Sequence, residues 1–257
     1  MAIRHQFLVM AGWLLVCMLG AAWLSAEFSG RQPATVALDV GLSIIRLGLP
    51  LIGLLLLQDL LAKEFDRRFF LLSLTYPRTR TMFLLGRALA VALLLLLLLC
   101  LAALLLAAFV GWQAHAYEQA TPVALGGPYW LTLAFTLVDL FVVMAVGTLL
   151  AVVVATPSFV LVGTLGFMLL ARSFSSIMAL LQQESWLVAD AQSYHASLGV
   201  LGYLIPDLAV LDIRQIALYG HWELLAAEWP RQVLTALVYG SAVLALAVWL
   251  LMRRRFA

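Results

Sequence analysis

The chain has 257 residues, of which 65% are hydrophobic and only 11% are Asp, Glu, Lys or Arg, and its mean hydropathy is +1.07. A soluble domain is about half apolar and a quarter charged, so this composition excludes a water-soluble globular protein and predicts an integral membrane protein. The formal net charge of +2 says little about partners, because in a membrane protein the positions of Lys and Arg report topology first.

Six apolar segments are each long enough to cross a bilayer, which needs about 20 apolar residues in a helix. Their hydrophobicity is continuous rather than alternating, which predicts spanning helices. The first segment has the length of a span, not of the shorter apolar core of a signal peptide. The predicted spans are residues 7–26, 38–61, 83–111, 129–155, 158–181 and 233–252. The predicted fold class is therefore an all-α membrane protein with one six-span transmembrane domain.

The basic residues between the spans predict the direction of the chain, because cytoplasmic loops carry an excess of Lys and Arg. Ten of the 15 basic residues fall on one side: one before span one, five between spans two and three, Arg87 at the start of span three, and three after span six. Both termini and that connection are therefore predicted to face the cytoplasm. Aromatic residues at span ends agree, since amphipathic rings prefer the membrane interface. They are Trp23, Trp112, Tyr129 and Trp130 at predicted outer ends, and Trp249 near an inner end.

The connection at 62–82 is predicted to form a short amphipathic helix on the cytoplasmic face. Apolar residues at i, i+4 and i+7 form one stripe, and charged side chains face elsewhere. The stripe is Phe65, Phe69 and Leu72, and the charged residues are Lys63, Glu64, Arg67 and Arg68. Pro77 disfavours helix at Tyr76, so the chain should turn there and re-enter the membrane after Arg80. Two interpretations stay open: an interfacial helix whose arginines meet lipid phosphates, or a helix that docks a soluble partner.

The same connection carries a motif with a fixed spacing. Glu64 precedes Leu71-Leu72-Ser73, then come Pro77-Arg78-Thr79-Arg80 and, after three residues, Leu84-Leu85-Gly86-Arg87. This pattern resembles the cytoplasmic coupling segment of ABC-2 type transporter permeases, where an acidic residue precedes P-x-[ST]-R-x3-L-L-G-K after the second of six spans. The family lysine is replaced by Arg87. Residues 203–220 are similar, more loosely, to the external segment of permeases grouped with copper-enzyme maturation and nitrous oxide reductase accessory exporters.

The resemblance implies the transmembrane subunit of an ATP-driven exporter in a bacterial cytoplasmic (inner) membrane. Its partners would be a separate ABC ATPase subunit, which binds ATP and Mg²⁺, and a second copy of this permease or a homologous one. The apolar stripe would anchor the ATPase, and Glu64, Arg67 and Arg68 would form the polar rim of that contact. This chain lacks a G-x-x-x-x-G-K-[ST] phosphate loop, so we expect it to be neither an enzyme nor a cofactor carrier. The substrate stays open.

Three charged residues lie deep inside predicted spans, at least eight residues from either end: Arg46, Asp139 and Arg172. A lone charge in hydrocarbon costs at least ~2.5 kcal/mol, so such residues usually face the bundle interior and pair. We predict that Asp139 pairs with Arg172 or Arg46, about 8 to 15 Å from the outer surface at 1.5 Å per residue. The pair would either fix helix packing or line the route of a substrate. An unpaired, snorkelling Arg46 is the third alternative.

Residues 182–232 form a long external connection, in which Pro206 and Pro230 are expected to break the chain into short helices. These helices would dip into the outer leaflet and cap the bundle, with tryptophans such as Trp222 and Trp229 at the interface. The alternative is that the connection forms a loop on the surface.

Other functional classes fit the residues less well. All four histidines fall outside the predicted spans, which argues against a haem, Ser-His or His-based metal site in the membrane. Cys17 and Cys100 lie in separate apolar runs and are expected to be isolated thiols. No nucleic-acid partner is expected, because topology accounts for the basic residues. A passive channel subunit or a non-transporting membrane scaffold is the alternative function.

Overall fold

The computed structural model describes residues 2–62, 80–116, 122–154, 156–183 and 205–253. Helices dominate these residues, and no strand occurs among them. In chain order they are α1 (Ala2–Phe28), α2 (Pro33–Leu57), α3 (Arg80–Ala116), α4 (Gly127–Val153), α5 (Pro157–Gln183), α6 (Arg214–Tyr219) and α7 (Trp229–Arg253). Single 3-10 turns at Ala209–Leu211 and Trp222–Leu224 flank α6, and α2 runs into a π-turn at Gln58–Ala62.

Six of these helices are apolar and long enough to cross a membrane, namely all except α6. The prediction of an all-helical, six-span membrane protein is therefore confirmed at this level. Most of the helices extend beyond the predicted spans, because an apolar run marks only the hydrocarbon crossing and a helix continues into the interface.

Two of the helices begin with a proline in the first turn, Pro33 in α2 and Pro230 in α7. A proline has a suitable φ at this position, and its missing N–H would have no helical partner there. Pro230 lies in the first turn of α7 and so separates the short helical turn at Trp222–Leu224 from the last span.

Helices α2 and α4 form the centre of the bundle. α2 packs against α1, α3 and α4, and α4 packs also against α5 and α7. These two spans are more buried than the other four. Glycines permit the close approach: a Cβ on Gly53 of α2 would lie 2.7 Å from the Met144 sulfur of α4 and 2.8 Å from a Leu95 methyl of α3. A Cβ on Gly147 of α4 would lie 2.9 Å from a Leu57 methyl of α2.

One end of the bundle gathers the end of α2, the start of α3 and the end of α7, and we call it the base. An apolar cluster there joins five helices: Leu57, Leu61, Leu84, Ala151, Val152, Val160, Ala247 and Leu251. The start of α1 also lies at the base, since His5 and Gln6 line one cavity with Gln58 and Asp59. The first and last described residues, and both ends of the connection at 63–79, therefore lie at the same end of the bundle.

Aromatic residues mark both ends. At the base, the Arg253 guanidinium lies 4.2 Å from the ring centroid of Trp249. At the opposite end Trp23, Trp112 and Trp130 are exposed, as expected of interfacial residues. Tyr129 is different: it is fully buried, and its hydroxyl donates to the Ala103 carbonyl at 2.7 Å. Its prediction as an interfacial ring is wrong, because the ring fills the contact between α4 and α3 and its hydroxyl is satisfied there.

Replacing Gly53 with Leu should destabilise the bundle by about 1–3 kcal/mol, because the added side chain overpacks the meeting point of α2, α3 and α4. Thermal melting of the purified protein in detergent measures this effect. The matched control is Gly20→Leu in α1, where a Cβ would meet no atom within 4 Å. Its melting temperature should stay level or rise, since Leu favours helix over Gly by up to about 1 kcal/mol. Equal losses in the two variants would contradict the packing described for Gly53.

Candidate functional site

An ion pair lies in the middle of the bundle. The Arg172 guanidinium of α5 donates to Oδ2 of Asp139 on α4, and the Asp139 side chain is only 1% exposed. The Arg46 Nε of α2 lies 3.9 Å from the same oxygen. The predicted pairing of Asp139 is present and involves both arginines, with Arg172 the closer. Three spans therefore meet around one carboxylate.

The three charged residues lie far from the ends of their helices. At 1.5 Å per residue, Asp139 is about 18 Å from the start of α4, Arg46 about 20 Å from the start of α2, and Arg172 about 17 Å from the end of α5. These distances are measured from the helix ends and not from the membrane surface, so the depth of about 8 to 15 Å from the outer surface stays a prediction.

The pair continues outward as a chain of alternating charge. The Arg46 guanidinium contacts the Asp212 carboxylate, and the other Asp212 oxygen lies 3.5 Å from Arg214 Nε. Arg214 in turn lies 3.1 Å from Asp39 Oδ1 on α2 and donates to the Ser43 hydroxyl. We call these six residues the ionic chain: Arg172, Asp139, Arg46, Asp212, Arg214 and Asp39. Its three positive and three negative charges balance.

The ionic chain runs from the protein interior towards solvent. Side-chain exposure rises from 1% at Asp139 to 15% at Arg46, 27% at Asp212 and 44% at Asp39. The interactions should be strongest at the buried end, where little water screens the charges. Arg46 is paired at both sides, so the alternative of an unpaired, snorkelling Arg46 is wrong.

The residues before α7 close over this chain. We call residues 205–228 the cap segment. Leu208 is fully buried, its N–H donates to the Ala171 carbonyl of α5 at 3.0 Å, and its own carbonyl accepts from Arg46 at 3.0 Å. Asp207 accepts from the Ser175 hydroxyl of α5 and from the N–H of Ala209. The predicted short helices before the last span are present, and for this part of the connection the surface-loop alternative is wrong.

Helix α6 carries the cap segment into the apolar core. Ile216, Ala217 and Leu218 are buried, and the carbonyl of Ala217 accepts a hydrogen bond of 3.0 Å from the N–H of Ala124, in the connection between α3 and α4. The cap segment is thus held by apolar packing as well as by the ionic chain.

The buried end of the ionic chain is not saturated with hydrogen bonds. Oδ1 of Asp139 and Nε of Arg172 are buried and have no hydrogen-bond partner among the described residues. A buried charge that loses its counter-ion is strongly unfavourable, so each member of this pair depends on the other. The described residues contain no group of three or more His, Cys, Asp or Glu positioned to hold a metal ion. What this arrangement can do is join α2, α4, α5 and the cap segment by charge.

A second polar contact lies at the base. The Arg87 guanidinium, where the resembled motif has lysine, donates to the Leu60 carbonyl in the π-turn and lies 4.4 Å from the Phe83 ring centroid. This contact ties the start of α3 to the end of α2. The connection at 63–79 therefore leaves and rejoins two helices that are bonded to each other.

The two groups of site residues predicted from sequence fare differently. Arg46, Asp139 and Arg172 are brought together. The predicted coupling residues Glu64, Phe65, Arg67, Arg68, Phe69, Leu72 and Pro77 lie outside the described residues, and Arg80 is described only as the first residue of α3. Neither a protein-family model nor a curated protein matches this chain.

Replacing Asp139 with Ala should lower stability by about 3–5 kcal/mol, because it leaves Arg172 buried without a counter-ion. Differential scanning fluorimetry in detergent would show this as a fall in melting temperature. The matched control is Glu228→Ala, which breaks an exposed ion pair 4.0 Å from Arg231 and should change nothing measurable.

The double substitution Asp139→Leu and Arg172→Met tests the origin of that loss. It removes both charges together and should melt above Asp139→Leu alone, since apolar residues of similar volume can replace a buried ion pair. If the double variant melts at or below the single one, the pairing does not account for the loss.

Proposed function

We propose that this chain is the permease subunit of an ATP-driven exporter of the ABC-2 type, located in a bacterial cytoplasmic membrane. The observation that supports the proposal is that the helices on either side of the coupling-like motif end and begin at the base, where the start of α1 and the end of α7 also lie. In this proposal the base faces the cytoplasm and the cap segment faces outward. ATP and Mg²⁺ are bound by a separate ATPase subunit, and a second permease, identical or homologous, completes the transporter.

The charges at the base support this orientation. Arg87 and Arg253 flank the base, and both guanidinium groups lie over aromatic rings. The sequence adds the basic residues of 63–79 and the arginines after α7, so the excess of positive charge lies at this end. Loops with such an excess remain in the cytoplasm.

The route by which the ATPase would act runs through α2. This helix ends in the π-turn at the base, and the same helix carries Asp39 and Arg46 of the ionic chain. Packed helices shift as bodies rather than deforming continuously. A push on residues 63–79 would therefore move the contacts between α2, α5 and the cap segment, which is the motion that an exporter needs at its outer end.

Replacing Phe69 with Asp should leave the protein in the membrane but abolish stimulation of the ATPase, because a charge would interrupt the apolar stripe of the coupling segment. The measurements are co-purification with the co-expressed ATPase and its hydrolysis rate. Phe70→Asp is the matched control, since Phe70 is off the predicted stripe and its replacement should leave both measurements close to wild type.

The outcome also separates the proposed permease from the alternative. Stable complex formation that Phe69→Asp destroys is expected of a permease. Wild-type co-purification and stimulation in Phe69→Asp would refute the docking role, and a chain that never binds the ATPase would favour a scaffold or passive channel subunit.

A cysteine at Ser29, between α1 and α2, should react with a membrane-impermeant maleimide in intact cells, because this connection is at the outward end. A cysteine at Ala257 should react only after lysis. Both are made after Cys17 and Cys100, which are exposed on the helices, have been replaced with Ala. The reverse labelling pattern would overturn the proposed orientation.

A further inference from the structure

Pro50 interrupts the hydrogen-bond ladder of α2, in which it is an internal residue. A proline has no N–H, so the carbonyl four residues earlier, that of Arg46, lacks its usual helical donor. The donor comes from α5 instead: Nη2 of Arg172 lies 3.0 Å from the Arg46 carbonyl oxygen. The same nitrogen also donates to Asp139. Arg172 thus donates to two acceptors: the Asp139 carboxylate and the Arg46 carbonyl, which Pro50 has freed.

Arg46 connects this freed carbonyl to the cap segment. Its side chain donates to the Leu208 carbonyl at 3.0 Å and contacts the Asp212 carboxylate. The N–H of Leu208 returns to Ala171, the residue before Arg172, at 3.0 Å. Three hydrogen bonds, together with the peptide bond between Ala171 and Arg172, therefore form a closed ring through α2, the cap segment and α5. We call it the ring, and its members are Arg46, Leu208, Ala171 and Arg172.

Opening one bond of this ring affects the others. Ala171 and Leu208 are fully buried, and a buried backbone group without a partner is costly, most of all within a membrane. If the cap segment moved away, the Arg46 side chain and the N–H of Leu208 would each lose a partner. If the outer part of α2 moved, the Arg46 carbonyl would leave Arg172 and the Arg46 side chain would leave Leu208. The ring is therefore expected to be closed or open as a unit.

We propose that Pro50 is a hinge of α2 which the bond from Arg172 to the Arg46 carbonyl locks, and that the lock and the closed cap segment depend on each other. With the ring closed, the halves of α2 on either side of Pro50 are held in one arrangement against α5. With the ring open, the outer half moves relative to the half that leads to the π-turn and the base. This coupling is a property of the chain itself and goes beyond the proposed transport function, since it requires no ATPase.

A double-mutant cycle tests the lock. Pro50→Ala supplies the missing N–H, so the Arg46 carbonyl gains a partner in its own helix and no longer depends on Arg172. Pro33→Ala is the matched control, because Pro33 is in the first turn of α2, where no helical bond is missing. The melting temperature is measured for the full-length protein in detergent with and without Arg172→Gln, in both backgrounds.

The fall in melting temperature caused by Arg172→Gln should be roughly half as large in the Pro50→Ala background as in the Pro33→Ala background. Only the interaction of Arg172 with the Arg46 carbonyl differs between the two backgrounds. The loss of the Asp139 interaction is common to both and cancels. If Arg172→Gln prevents folding, Arg172→Lys replaces it in the same cycle, since it keeps a positive charge beside Asp139. Equal losses in the two backgrounds would overturn the proposal.

Hydrogen–deuterium exchange tests the link to the cap segment. Pro50→Ala alters no residue of that segment, yet it should lower the exchange rate of peptides covering 205–220 by about 5-fold, because α2 without its hinge keeps the Arg46 side chain against Leu208. Pro33→Ala should leave the rate unchanged. An unchanged rate in Pro50→Ala would show that the hinge and the cap segment are independent, and would likewise overturn the proposal.

Discussion

The buried carboxylate of Asp139 is the constraint on which the rest of the site depends. A charge in the middle of a membrane bundle must be neutralised, and the groups that neutralise it come from two other helices, Arg172 on α5 and Arg46 on α2. Arg46 then needs a second acid, which the cap segment supplies as Asp212. The same requirement continues through Arg214 to Asp39, at the edge of the bundle. The position of the cap segment is thus set by the charges of the spans beneath it.

Helix α2 links this site to the base. It is central, and its glycines let neighbouring helices approach closely. Along one helix it carries the outer acid Asp39, the buried Arg46, the interruption at Pro50 and the π-turn beside Arg87. Because α2 packs against several helices, it can transmit a displacement along its length. Because it is interrupted at Pro50, it can also bend there. Such an element is compatible with the proposed permease, which would be driven from one side of the membrane and open on the other.

Part of the ionic chain was visible in the sequence. Arg46, Asp139 and Arg172 stand out because charges are rare within apolar runs, and their pairing followed from the cost of leaving them alone. The spacing of Asp39, Ser43 and Arg46 at i, i+4 and i+7, which puts all three on one face of α2, was a further signal that was missed. Pro50, four residues after Arg46, was a local signal for the Arg46 carbonyl, whereas nothing local pointed to Arg214 or to the Leu208 carbonyl. Their roles arise from residues more than 100 positions apart, and Arg46 and Arg172 illustrate this.

The sequence by itself determined the class of the protein and its six helices, because in lipid a long apolar segment has to satisfy its backbone internally and a helix does so without reference to any other segment. Only the tertiary structure decided which side chains meet. Tyr129 could be interfacial or buried on sequence grounds, and the packing of α4 on α3 made it a buried donor to Ala103. Pro50 predicts a freed carbonyl at Arg46, and only the structure shows that Arg172 reaches this carbonyl from another helix. Such contacts depend on how helices are rotated and offset against each other, and hydrophobicity along one chain does not specify either.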